Sequence, residues 1–249
     1  MKKTTLLFFL LAAFLYGGEI DLSLYEKSIY SQNGEDGVLS KIFQTLPASS
    51  KFCVELGAGD GISRSNAHLL LLQEWKGVLL DREHAASQYN LYQEFVTAEN
   101  LAALLQKYQV PHEFDLLSID LAYNGFFIWQ SLPSLYTPAV VVVKYNASHL
   151  PNEDKVVKYR PFYTGDETDY YGASILALYR LGQAKGYSLV YAEQSGVNLF
   201  FVRDDLLQNG EISFKNRNEV EKLYRNKASG RSLPDLKNRP YLSSNEVLK

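Results

Sequence analysis

The stretch F-C-V-E-L-G-A-G-D-G, Phe52 to Gly61, holds the residues best spaced for chemistry: an acid, Glu55, near the end of an apolar run, then Gly57, Gly59 and Gly61. A glycine turn between a buried strand and a helix lets a ligand approach the backbone, and free amides at the helix start attract negative or polar groups. Dinucleotide sites use G-x-G-x-x-G, but position 62 is isoleucine, so that pattern fails. Asp81 stands 20 residues beyond Gly61 at the end of the next apolar run, where a carboxylate can accept both hydroxyls of a ribose. Singly, the glycines could form only a sharp turn and Asp81 only a solvated strand end. Together they point to a ligand that carries a ribose.

The remaining titratable candidates are scattered. His68, His84, His112 and His149 share no metal-ligand spacing, so no metal is expected, and the single cysteine, Cys53, can form no intramolecular disulfide. His149 follows the fifth predicted strand; it is a candidate base beside the ligand, or else a solvated loop histidine. Tyr30, Tyr170 and Tyr171 are candidates to line an acceptor pocket, since aromatic faces suit sugars, although 18 tyrosines put some tyrosine near any pocket. Glu35 and Asp36 open a helix, where carboxylates complement the amides; a structural role is expected, with closure over the ligand as the alternative.

Positioning these groups requires an α/β frame. Val38, Leu39, Ile42, Phe43 and Leu46 fall at helical spacing. Strands are predicted at 51–56, 76–81, 114–120, 139–145, 187–192 and 198–203, and their unbroken apolar runs suit parallel strands buried on both faces. Helices are predicted at 66–75, from Leu101 to Tyr108 after a Thr97 cap, at 125–135 and at 174–185. A polar loop is expected over 146–170, and a short helix near Val220 to Arg225 before a loose tail. The alternation implies an open, mostly parallel sheet flanked by helices, with an antiparallel edge strand from a C-terminal hairpin around Ser195-Gly196. Only 13 residues separate Asp81 from Phe95, too few for a helix plus a strand, so the third strand is expected to be shortened or absent.

Composition limits the function classes. The chain has 249 residues, 46% of them apolar and 21% charged, enough for one domain with a substantial core. A net charge of -3 supplies no global field for a polyanion, so nucleic acid is not an expected partner. The last 39 residues carry nine Lys/Arg against five Asp/Glu, a local +4 that reads as a solvated face or as contact with anionic lipid or polysaccharide. Lys2 and Lys3 precede an apolar run from Leu6 to Leu15, the layout of a secretory signal peptide over 1–18, or of an uncleaved anchor. The expected organisation is therefore that segment, a core domain over 19–206 and a polar extension over 207–249, in an exported or membrane-anchored protein. Oligomeric state is not legible.

At this point the chain resembles a known family, the FkbM-like methyltransferases, in the branch that opens with Y-S-Q-x-G-E-D. The pieces stand in one order from about Ile29 to Arg203: Tyr30 to Gly37, Phe52 to Gly61, Ser65-Asn66, Trp75 to Asp81, Phe95 to Asn100, Asp115 to Asp120, Tyr145-Asn146, Tyr170 to Ser174 and Ser195 to Val202. The resemblance implies a Rossmann-like class I methyltransferase fold, S-adenosylmethionine as donor, and methyl transfer to a hydroxyl of a small molecule or glycan. On the methyltransferase reading, Glu55 and Gly57, Gly59 and Gly61 receive the methionine end and Asp81 the ribose, while Asp120, and as a further candidate His149 after the fifth strand, orient the acceptor.

The departures are chemical. Where the branch has S-I-D-x-D-G-N-D after the fourth strand, this chain has S-I-D-L-A-Y-N-G, so Ala122 and Gly125 replace two acids. Where the fifth strand ends in E-Y-N, Lys144 replaces the glutamate and is expected to pair with Asp120. An acidic cluster thereby turns towards neutral, and an exported enzyme would meet little of a cytoplasmic methyl donor. Two expectations stand: an O-methyltransferase, or an exported pseudoenzyme or binding protein that keeps the fold without catalysis.

Overall fold

The computed structural model describes residues 18–46, 49–208, 212–226 and 233–248. The signal-like segment lies outside them apart from Gly18. Among the described residues no helix is long and apolar enough to cross a membrane.

Seven strands form one sheet: β1 (Phe52–Leu56), β2 (Lys76–Asp81), β3 (Leu91–Gln93), β4 (Glu113–Ile119), β5 (Thr137–Lys144), β6 (Tyr187–Ala192) and β7 (Asn198–Arg203). Their order is β3-β2-β1-β4-β5-β7-β6. The first five are parallel, with Val54 beside Val78 on one flank and Leu117 on the other. This is the Rossmann-like α/β fold expected from the alternation. The antiparallel strand is not at the edge, however: β7 is inserted between β5 and β6, antiparallel to both, and β6 forms the edge.

The pleat sorts the apolar runs into two cores. Val54, Leu56, Leu117, Ile119, Val141 and Val143 face α3 (Leu101–Lys107), α4 (Gly125–Ser131) and α5 (Ile175–Ala184). Cys53, Leu116, Val140 and Val142 face α1 (Glu35–Thr45) and α2 (His68–Leu72). Ser174 caps α5 by accepting from the Ala177 amide, while Thr97 and Asn100 exchange side-chain and backbone hydrogen bonds ahead of α3.

The third strand is shortened, as expected, to three residues; a 3₁₀ turn over Ser87–Tyr89 and a left-handed Asn90 replace the crossover helix. One expectation is corrected. Among the described residues, 233–248 are not the loose tail expected. Leu242 and Val156 exchange backbone hydrogen bonds of 2.8 Å, and α7 (Ser244–Val247), opened by a Ser243/Glu246 capping box, packs on α5. Asp154 joins Arg180 of α5 to Ser244 of α7. The short α6 (Val220–Leu223) forms where expected.

Candidate functional site

In an open parallel sheet, ligands bind beyond the carboxyl ends of the strands, where the strand order reverses. Here that point lies between β1 and β4. A cavity of about 220 Å³ opens there, lined by Gly57 after β1, Leu80 and Asp81 of β2, the 94–96 segment after β3, and residues 120–124 after β4, with Tyr163 and Thr164 above. Gly57 adopts φ +84°, and a β-carbon on it would lie 2.6 Å from the Asp120 carbonyl oxygen. Glycine here permits the ends of β1 and β4 to close against each other.

Asp81 stands between the cavity and the turn. Its Oδ2 accepts from the Gly59 amide at 3.0 Å, and its Oδ1 from the Glu83 and His84 amides and from the His84 ring at 2.8 Å. Partial burial would raise its pKa, but these donors together hold the carboxyl below its usual value, and the same contact raises the pKa of His84. Phe95, Val96 and Leu121 add apolar wall suited to a planar base. Phe95 and Val96 lie in a piece quoted for the family resemblance and Leu121 directly follows another, but no periodicity marks them as cavity residues.

The glycine turn itself departs from expectation. Of its amides, all but that of Asp60 are already spent: Gly57 and Ala58 donate to the Leu80 carbonyl, Gly59 to Asp81, Gly61 to the Ala58 carbonyl, and Ile62 and Ser63 to the Asp60 carboxylate. Nor does a helix follow directly, since α2 begins only at His68. Gly61 packs on Leu79 and Leu91, beneath the turn.

Glu55 is 1% exposed and does not line the cavity. Its oxygens accept from the Ser65 hydroxyl at 2.5 Å and the Asn66 amide at 2.8 Å, so it anchors the start of α2 instead of touching a ligand. Burial, only partly offset by these bonds, pushes its pKa up to about 7. Asp36 is also structural: one oxygen gathers the amides of Ile29, Tyr30 and Ser31. Glu35 ties Asn33 to Asn198 of β7.

Beyond β5 lies a second cavity of about 420 Å³, lined by Lys144 and Tyr145, residues 164–168, Tyr171, and Gly196-Val197. It shares Arg82, Ala122 and Thr164 with the first. Asp120, on the first cavity, and Lys144, on the second, form the expected ion pair, which therefore stands at the seam. The polar loop folds over both cavities. Asn124 donates to the Arg160 carbonyl at 2.7 Å, and Asn146 to the carbonyls of Asp169 and Tyr171. From outside, Leu233 and Arg239 fasten the same loop through Glu167, Asp169, Asp166 and Thr168. The motif pieces holding Asn124 and Asn146 were visible in the sequence; their role as staples was not.

His149 lines neither cavity. It is buried edge-on against Tyr241, and burial, aided by Lys155, lowers its pKa to about 4, which does not suit a base beside the seam. Tyr171 does line the second cavity, whereas Tyr170 is buried with its hydroxyl on the Pro240 carbonyl and Tyr30 packs on His68. Among the described residues, no three His, Cys, Asp or Glu side chains are grouped to hold a metal. In the basic tail, Lys215 and Lys222 pair with Asp21 and Glu219; Lys227 lies outside the described residues.

No family model and no curated protein matches the chain. Several solved structures are similar to it. The citrinin polyketide synthase CMeT domain shares 10% identity over 68% of this chain and 51% of that one, with a TM-score of 0.35. A SAM-dependent methyltransferase from Aquifex aeolicus shares 10% identity over 66% of this chain and 87% of that one, with a TM-score of 0.30. The chain thus spans about half the length of the citrinin synthase structure.

Proposed function

We propose that this protein is an S-adenosylmethionine-dependent O-methyltransferase of the FkbM-like kind, acting on a hydroxyl of a small molecule or glycan. The observation that carries the reading is the pair of adjoining cavities at the carboxyl ends of the parallel strands, with the Asp120–Lys144 pair at their seam. Together they reach the size range of small-molecule sites, roughly 300–1,000 Å³. The donor would supply a methyl group activated on a sulfonium. Asp81 has the chemistry to accept ribose hydroxyls, and Phe95, Val96 and Leu121 to flank the adenine. The stapled loop borders the seam, and Asp120 is the group available there to accept the hydroxyl proton.

A second reading, an exported binding protein without catalysis, is favoured by one observation: Lys144 already pairs with Asp120, so the carboxylate at the seam is engaged within the chain. Calorimetric titration of S-adenosylmethionine and S-adenosylhomocysteine into the purified protein tests the donor site. Micromolar binding, about -8 kcal/mol, that is lost in Asp81→Ala supports the first reading. A folded protein that binds neither at millimolar ligand overturns it. Binding without turnover on any hydroxyl acceptor supports the second.

A further inference from the structure

Asp81 is the group at the first cavity with the chemistry for a ribose, yet most of its acceptor capacity is in use. A carboxylate offers about four lone-pair sites on its two oxygens. Here Oδ1 accepts from the Glu83 amide at 2.9 Å, the His84 amide at 3.1 Å and the His84 ring Nδ1–H at 2.8 Å, while Oδ2 accepts from the Gly59 amide at 3.0 Å. Only Oδ2 has room, for one further donor, and a ribose diol brings two. The amides are fixed by the main chain that leaves β2 and by the glycine turn. The His84 ring is not. It hangs on a rotatable side chain that is half exposed, it lines neither cavity, and Asp81 is its hydrogen-bond partner among the described residues.

We propose that the His84 ring is a gate on the ribose site, which a diol-bearing donor displaces from Asp81 so that both hydroxyls can bind. This rests on the donor reading above. The charged groups that face the ring are Asp81, Glu83 and Asp60, and Arg82 is drawn off to Glu83. The Asp81 bond, aided by these charges, holds the pKa of the ring above its ordinary 6.5, while Asp81 itself stays ionised, its pKa kept low by its donors. Displacement returns the ring towards 6.5. Binding therefore releases a proton in the window above that value, and donor affinity rises with pH across it. The charged ring also resists displacement more than the neutral one, because charge-assisted hydrogen bonds are stronger.

The test titrates two ligands into the wild type and His84→Ala from about pH 6 to about pH 8.5: S-adenosylhomocysteine, which has the diol and no sulfonium charge, and its 2′,3′-dideoxy counterpart. The variant keeps the residue-84 amide on Asp81 and is expected to melt like the wild type. At the acid end it should bind S-adenosylhomocysteine roughly 2- to 5-fold more tightly than the wild type does, with the difference shrinking as pH rises. The dideoxy ligand, which has no diol to displace the ring, should bind both proteins alike. In the wild type, the ring titration of His84 followed by NMR should fall towards 6.5 when S-adenosylhomocysteine saturates the protein. A ring titration that the ligand leaves unmoved, a pH slope that survives in His84→Ala, or an equal gain for the dideoxy ligand overturns the gate while leaving the donor site standing. If the wild type binds S-adenosylhomocysteine at no pH, the donor reading fails and takes the gate with it.

Discussion

The two halves of the cleft are built by different means. On the side of β1 to β3, the wall comes from short stretches of chain: the glycine turn, the end of β2 and the segment after β3, all within 52–96. On the side of β5 to β7, the wall is a long loop held by staples from far away, Asn124 and Asn146 inside and Leu233 and Arg239 outside. A locally built wall is rigid because strands in register fix it. A stapled loop is only as stable as its side-chain bonds, and regions held in this way open at lower free energy than the core.

The largest effect is expected where the two halves touch. Gly57→Ala puts a β-carbon against the Asp120 carbonyl and forces a left-handed alanine, so the cost is about 3 kcal/mol or more, a fall of ~10 °C in melting temperature. Gly59, left-handed at φ +57° with open space around its β position, provides the contrast. Gly59→Ala is expected to cost only ~1 kcal/mol. Equal losses would mean that the close approach of β1 to β4 is not what Gly57 serves.

Proton linkage separates the halves more finely. Folded Glu55 holds its proton to about pH 7, whereas an unperturbed one releases it near 4.5, so the folded state binds more protons in this window and loses stability as pH rises through it. Glu55→Gln should remove a slope worth about 3 kcal/mol in urea titrations between pH 4.5 and 7. His149 runs the other way. Its folded pKa, about 4, lies below the ordinary 6.5, so its contribution rises with pH between those values and is lost as the buried ring is forced to charge. Replacing His149 should remove a rising slope; finding slopes of the same sign would break the contrast.

Smaller effects test the staples. Asn146→Ala deletes three bonds from a fully buried side chain, two donated to the loop and one accepted from the Ser148 amide, and should cost ~2 kcal/mol or more, with faster proteolytic cleavage in 158–171 but unchanged affinity for donor fragments. Arg239→Ala should act least, since its ion pairs with Asp166 and Asp235 lie near the surface. It should leave the melting temperature nearly unchanged while still raising loop cleavage. A change in donor affinity from either variant would show that the two walls are coupled.

The frame and the left half were legible in the sequence because their signals are local. Unbroken apolar runs marked six of the seven strands to within a residue or two, glycines followed by a strand-end acid marked the turn, and Lys144 opposite Asp120 marked the ion pair. What failed depended on occupancy and distance. Residue type places an acid at the end of β1, but only the fold shows the Glu55 oxygens filled by Ser65 and Asn66, and most of the turn amides filled by Leu80, Asp60 and Asp81. Hydrogen bonds saturate, and a group used inside the chain is withdrawn from a ligand.

The sequence by itself determined the order of elements, the parallel run of strands, and the cluster at the seam, since each follows from patterns that recur over a few residues. The tertiary structure decided that β7 enters between β5 and β6, that a three-residue β3 suffices, and that His149 stands apart from the cavities. It also decided that the end of the chain returns to fasten the loop, as Leu242 does with Val156 and Arg239 with Asp166. Such pairings join residues some 70 to 90 positions apart, and no local period or turn preference records which distant partner closes them.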